Sequence, residues 1–368
     1  MSEEKKEKES NAYQFSTIKK IKHTSVKSQG RTGTCWSFAT IAFLESEVLR
    51  QGKIKDLDLS EMYIVRHTYP KKAQNYIRMH GSATWGQGGQ SHDVIDQMRE
   101  FGIVPESVFN GKKIGQKDHN HSELSRVLKG MLDGILKSRK PTPVWLTAFN
   151  HVLDTYLGIT VDEFEFDGKR YTPKSFMKYL ELNLDDYIEL ASCTQIPFYK
   201  QFRQVIPDNW TYNSNYYNIP LDDLEKAVDH AIEQGYSVCW DADISDKYFN
   251  TKKMFVALVP EKDDRDKTKK EKEAPIEQPI KEKIVNQELR QQQYDNFVTT
   301  DDHLMHLVGL AKDQKGNKYY IIKNSWGTKD MKYKGYFYIS KAYFRLRTIN
   351  IMVNKNSLPQ ELKTKLGM

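Results

Sequence analysis

A change of period near residue 235 constrains this chain more than any other feature. Ahead of it, apolar residues recur at helical spacing. Residues 35–50 read as a helix, apolar nearly all round through Leu44 and polar from Glu45. Further helices are predicted over 60–80, 91–101 (closed by Gly102), 122–138, 143–157, 172–180 and 220–235. The 122–138 stretch carries Leu124, Val127, Leu128, Met131, Leu132, Ile135 and Leu136, the stripe of an amphipathic helix packed on a body. Thr172 followed by Pro173 has the form of an N-cap and first helical residue. Beyond 235, "YSVCWDADI", "MFVALVP", "HLMHLVGLA", "KYYIIKNSW" and "GYFYISKAYF" are short, rich in β-branched and aromatic residues, and separated by turn signals. A helical front followed by a strand-rich back predicts an α+β protein, and 368 residues are enough for two lobes.

The expected organisation is a flexible polar tail over 1–20, then a mainly helical lobe over 21–190 with a helical insertion at about 110–190. A β-rich lobe follows over 191–355, and a C-terminal tail over 356–368. The run "EKDDRDKTKKEKE" balances six acids against six bases inside a charged insert, 261–293, expected to be a loop or an exposed helix. Net charge is +7, but no short window concentrates it, so nucleic acid is not an expected partner. No stretch reaches the ~20 apolar residues of a membrane helix. Cys35, Cys193 and Cys239 are too few for a disulfide framework, which favours a reducing compartment such as the cytoplasm. An exported protein whose leader has been removed would look the same.

Cys35 opens its helix directly after the polar loop "SQGRTGT". A helix N-terminus carries partial positive charge that favours a thiolate. One such cysteine is by itself more often structural. A thiol nucleophile also needs a base, and the base an orienting group. The stretch "TTDDHLMHLVGLAKDQKGNKYYIIKNSWGT" reads as a β-hairpin turning near residue 315, which puts His303 opposite the neighbourhood of Asn324. An amide oxygen there can fix the tautomer of an imidazole. His306, on the opposite strand face with Leu304 and Val308 and with Ile321 near, reads as a buried structural histidine. Trp326 would lie on the strand face of Asn324 and cover the His–Asn pair. The His119-x-His121 pair has no further ligand at metal spacing, so no metal and no cofactor are expected. "GQGGQ" at 86–90 holds two glycines where a backbone could approach a ligand.

Together these residues resemble the papain superfamily of cysteine peptidases. "QGRTGTCWSF" is similar to its nucleophile loop, "DHLMHLVG" to its histidine strand, "KNSWG" to its asparagine motif and "GGQ" to its substrate-binding glycine pair. The resemblance implies a two-lobe fold, one lobe helical and one a β-barrel-like antiparallel sheet. It implies Cys35 as nucleophile, His303 as general base and acid, Asn324 as orienter, Gln29 in the oxyanion hole and Trp326 as shield. Gly88, Gly89 and Asp302 are the implied substrate-binding positions. Thr32 stands where relatives often carry a disulfide cysteine. The long Cys-to-His spacing, "PDNW", "YYNIPLDDLEKAV" and "LPQELKTK" resemble the bleomycin hydrolase, or aminopeptidase C, branch. That branch implies an aminopeptidase acting on peptides or proteins, a ring-shaped homohexamer, and a C-terminal arm lying in the cleft. The sequence stops at Met368 just after "LPQELKTKLG", so a shortened arm is expected and a papain-like endopeptidase is the alternative. A basic binding or scaffold protein on an inactive peptidase fold is the alternative from another class.

Overall fold

The structure, a computed structural model, describes residues 12–250, 255–273 and 276–368. Its front half is helical: α1 Cys35–Gln51, α2 Glu61–Arg78, α3 Ser91–Phe101, α4 Ser122–Leu136, α5 Val144–Leu157 and α6 Pro173–Tyr179. Local chemistry sets the ends. Gly52 closes α1 at φ 80°, a conformation costly for residues with a Cβ. Thr172 caps α6 by accepting from Ser175 N. In α4 the predicted stripe buries Leu124, Leu128 and Leu132.

Strands β1 (Ser16–Lys20), β4 (Tyr187–Ala191), β5 (Lys200–Phe202), β6 (Tyr216–Asn218) and β7 (Val238–Ala242) join β8 (Phe249–Asn250) and β9 (Val256–Ala257) in one sheet. The remaining members are β10 (His303–Lys312), β11 (Lys318–Lys323), β12 (Tyr336–Ser340) and β13 (Thr348–Asn354). This eleven-stranded sheet is antiparallel except where β4 meets β6 and β9 meets β12. A separate hairpin, β2 (Phe164–Phe166) with β3 (Lys169–Tyr171), packs its Phe164 and Phe166 rings on Phe176 of α6. Helix α7 (Leu221–Glu233) covers the sheet face away from the helical lobe.

Alternation along the central strands divides the core in two. Cys239, Leu304 and Met352 face the helical lobe and pack with Trp36, Phe43 and Leu44 of α1. Trp240, Met305, Leu307, Ile351 and Val353 face α7. The start of β10 therefore runs beside the start of α1, and this brings His303 toward Cys35.

The tail expected over 1–20 is corrected in part. Residues 1–11 lie outside the described residues, but Ser16–Lys20 form β1, antiparallel to β10 with Thr17 opposite Ala311 and Lys20 opposite Gly309. Strand β7 pairs with β10 only over 303–307, and β1 takes up the backbone groups beyond it. Every β1 side chain is exposed, so the sequence there looks like a tail. The C-terminal tail expected over 356–368 is likewise ordered. Gln360–Leu366 is a helix that buries Leu362 and Leu366 in the sheet-side core, with Lys365 near Asp223. Residues 341–344, read as part of a strand, belong instead to a helix over Lys341–Arg347 capped by Ser340. The charged insert combines short helical turns at 264–273 with a helix over Gln287–Asp295, whose Arg290 is buried and donates to the carbonyls of Ser192 and Arg345. Among the described residues, no helix is long and apolar enough to cross a membrane.

Candidate active site

Cys35 is buried at the first turn of α1, and the loop before it is held from two sides. On one side Arg31 N donates to His119 O at 2.8 Å and His121 N to Arg31 O at 3.1 Å. Gly30 sits there at φ 61°, and a Cβ on it would lie 2.2 Å from the His119 carbonyl oxygen. The His-x-His segment thus grips the cysteine loop through its backbone. On the other side Gln29 N donates to Ser325 O at 2.8 Å and Gly327 N to Lys27 O at 3.0 Å. The loop carrying Cys35 and the segment carrying Asn324 are one hydrogen-bonded unit.

The expected hairpin is present, with Lys312 opposite Lys318 and Leu310 opposite Tyr320. A bulge between Leu307 and Gly309 shifts the register, and His306 pairs with Lys323 while Ile321 pairs with Gly309. Strand β11 ends at Lys323, so Asn324 and Trp326 lie beyond it. Trp326 therefore does not share a strand face with Asn324, contrary to the expectation from sequence. Its placement comes from the bridge between Ser28 and Trp326, which bends the chain back over His303. The two rings lie 5.1 Å apart.

His303 Nε2 lies 2.8 Å from Asn324 Oδ1. Ser325 N, which can only donate, contacts the same Oδ1 at 2.7 Å. That contact fixes the amide's orientation, so His303 Nε2 must carry the proton. Nδ1 is left with a lone pair and no hydrogen bond among the described residues. The Cys35 sulfur accepts from the backbone N–H of Leu304, the residue after His303.

Burial pushes the Cys35 thiol up to about 12; the Leu304 N–H opposes this, and the charges of Asp241, Asp208 and Asp301 add to it. Burial also lowers His303 to about 4, against the Asn324 hydrogen bond and Asp302. Burial is the largest influence on both groups, and it disfavours the charged form of each: the thiolate of Cys35 and the imidazolium of His303.

Gln29 is buried, with Oε1 accepting from Ser325 Oγ at 2.5 Å and Nε2 donating to Thr32 O at 2.7 Å. One N–H of that amide remains for another acceptor. Gly88 and Gly89 lie close to α1: Trp36 Nε1 donates to Gln87 O at 2.9 Å and Gly33 N to Gln87 Oε1 at 2.9 Å. A Cβ on Gly89 would come within 3.0 Å of the Trp36 ring. The Asp302 carboxylate accepts from Ile244 N, Ser245 N and Thr300 Oγ1 at 2.9–3.2 Å. Its side chain is thus spent on a turn.

His306 is buried with both ring nitrogens unpartnered, edge-on to Phe43 and His23. His121 Nδ1 meets Tyr69 Oη at 3.3 Å, and among the described residues no group of three or more His, Cys, Asp or Glu is placed to hold a metal ion. Cys35, Cys193 and Cys239 are all free thiols. The sequence reading missed Lys72, whose buried ammonium donates to Gly88 O, and the carboxyls of Asp208, Asp241 and Asp301. Each of the three aspartates lies in a quoted stretch, "PDNW", "YSVCWDADI" or "TTDDHLMHLVG", but none of these stretches signals that the carboxyls meet.

The model of the peptidase C1-like family matches residues 160–368, more than half of the chain, and that of the papain family of cysteine proteases matches residues 11–128. The chain belongs to the peptidase C1-like family. Within the peptidase C1-like proteins it is 24% identical over 388 residues to aminopeptidase G of Lactobacillus delbrueckii subsp. lactis, covering 93% of this chain and 84% of that one. It is 24% identical to aminopeptidase C of Listeria innocua, covering 92% and 82%. The crystal structure of PepW from Lactobacillus rhamnosis superposes with a TM-score of 0.74 at 20% identity, over 96% of this chain and 84% of that one. That likeness establishes the papain-like α+β fold.

Proposed function

We propose that this protein is a cysteine aminopeptidase that hydrolyses peptide bonds through Cys35, His303 and Asn324. The observation that carries the reading is the His303 Nε2–Asn324 Oδ1 hydrogen bond, with its tautomer set by Ser325 N. It leaves Nδ1 as a base on the ring of the residue next to Leu304, whose N–H meets the Cys35 sulfur. The Cys35 sulfur adds to the scissile carbonyl as its proton passes to His303 Nδ1. The second N–H of Gln29 and the Cys35 N–H receive the oxyanion. His303 then protonates the departing amine, leaving a thioester, and water activated by the same imidazole releases the acid. Gly88, Gly89 and the Asp302 main chain line the substrate's path, and Trp326 covers the His–Asn pair.

The aminopeptidase names of relatives matched over most of the chain favour release of single N-terminal residues from peptides. The free thiols fit a reducing compartment such as the cytoplasm. A ring-shaped homohexamer is the assembly that the resemblance to bleomycin hydrolase implies, and sedimentation measures it. The activity is tested with an epoxysuccinyl thiol reagent and an aminoacyl fluorogenic amide. We expect stoichiometric labelling of Cys35, loss of labelling in Cys35→Ala, and cleavage of the amide. Native protein that is neither labelled nor active would refute the reading and leave the inactive scaffold.

A further inference from the structure

Three carboxyls converge beside Cys35 from separate parts of the chain. Asp208 comes from the loop between β5 and β6, Asp241 from β7, and Asp301 from the residues just ahead of His303. The Cys35 thiol feels all three charges. The Asp208 carboxylate lies directly over Gly88, where an added Cβ would be 2.0 Å from Oδ2 and 2.5 Å from Oδ1. Gln90 Nε2 donates to Asp241 Oδ2 at 3.0 Å and reaches both Asp301 oxygens at 3.3 Å. Asn350 Nδ2 adds a hydrogen bond to Asp241 Oδ2 at 3.2 Å. The Asp241 and Asp301 carboxyls are themselves within hydrogen-bond reach of each other.

This recess has more acceptors than donors. Asp241 is 1% exposed, and its Oδ1 has no hydrogen-bond partner. Asn350, from a different strand, is 0% exposed, and its Oδ1 is also unpartnered. The Asp208 carboxylate makes no hydrogen bond or ion pair among the described residues; Lys72 is the cation whose charge it feels. A proton shared between Asp241 and Asp301 would satisfy one oxygen and leave Asp208 and Asn350 without a donor. Buried unpaired acceptors are costly, so the arrangement calls for a compact ligand with several N–H donors and a positive charge. The half-buried Asp208 and Asp301 leave the recess open to such a ligand, while Asp241 forms its floor.

We propose that Asp208, Asp241 and Asp301 dock the α-ammonium group of the substrate's N-terminal residue. This rests on the cysteine aminopeptidase reading and names what sets its register. In a peptide whose first bond is cut, the α-nitrogen lies about 2.5 Å from the scissile carbon. An ammonium at that distance sits in the field that the three carboxyls impose on Cys35. Exactness of register follows, because a second residue ahead of the bond would put an amide where the charge is needed. Docking also acts on the recess itself. Burial holds Asp241 up at about 7, and the incoming cation favours its ionised form.

The test compares leucyl-aminomethylcoumarin, its N-acetyl form, and N-acetyl-lysyl-leucyl-aminomethylcoumarin in wild type, Asp208→Asn and Asp301→Asn. We expect the kcat/KM ratio of free-amine to acetylated substrate to fall at least tenfold in each variant, mainly through KM. If Asp301→Asn does not fold, Asp208→Asn decides, since its carboxylate has no hydrogen-bonded protein partner to lose. An unchanged ratio overturns the dock. Preference of wild type for the lysyl substrate, lost in the variants, also overturns it and assigns the recess to a side-chain cation. Iodoacetamide alkylation of Cys35 separates the two readings. Alkylation with cleavage that ignores the α-amine overturns the dock and leaves the peptidase standing. Neither alkylation nor cleavage of any substrate refutes both.

Discussion

Trp326 stacks over His303 with ring centroids 5.1 Å apart and planes inclined by 30°, while Asn324 Oδ1 holds His303 Nε2 at 2.8 Å. The imidazole is therefore fixed by one hydrogen bond and one apolar cover, and a hydrogen bond shielded from water resists exchange. Replacing His303 by Ala removes the proposed base and should lower kcat by roughly 10²–10⁴-fold. Asn324→Ala should cost about 1–3 kcal/mol of transition-state stabilisation through loss of the tautomer lock. Steady-state kinetics on an aminoacyl amide measures both, and an Asn324 variant as active as wild type would remove the orienting role.

His306 should behave in the opposite way. Its ring is buried, its nitrogens have no partner, and burial, with Lys323 and His23 adding, holds its pKa well below the usual value. The folded state keeps it neutral while the unfolded state charges below pH ~6.5. Its contribution to stability is thus complete above that pH and is lost as pH falls. His306→Phe removes this one proton, so the variant should gain on wild type by up to about 1.4 kcal/mol per pH unit below 6.5. Denaturant unfolding at pH 7.5 and 5.0 reads the difference, and peptidase activity should survive in the variant.

Gly30 has no room for a side chain. At φ 61°, with a Cβ 2.2 Å from His119 O, Gly30→Ala must both strain the backbone and push the 119–121 segment away. Backbone strain alone is about 1–3 kcal/mol. The expected result is a lower Tm together with a slower reaction of Cys35 with iodoacetamide, because the same loop positions the thiol. A variant with wild-type Tm would show that the loop relaxes freely.

Gln29 is the proposed oxyanion donor, and one of its two amide N–H groups is already held by Thr32 O. Removing such a donor costs roughly 10²–10³ in kcat where the site is otherwise intact. Gln29→Ala should show that loss with KM little changed; a loss confined to KM would make Gln29 a substrate-binding residue instead.

Much of this protein is local and therefore legible in the chain itself. Helix periodicity placed six front helices and Leu221–Glu233, because burial of one stripe and capping by Thr172 or closure by Gly52 are decided within a few turns. The turn near residue 315 fixed a register close enough to bring His303 to Asn324. Elements whose reason lies elsewhere were not legible. Strand β1 has no apolar face and exists because β10 needs backbone partners beyond β7. Trp326 reaches His303 through pairing with Ser28, nearly three hundred residues away in sequence. The carboxyls of Asp208, Asp241 and Asp301 sit on three segments with no shared motif, each unremarkable in its own neighbourhood. The sequence by itself determined which residues could be nucleophile, base and orienter, since those roles require particular side chains. Tertiary structure alone decided the direction in which their pKa values shift, the grip on the cysteine loop and the acidic recess beside it, because burial and charge at a point depend on everything packed around it.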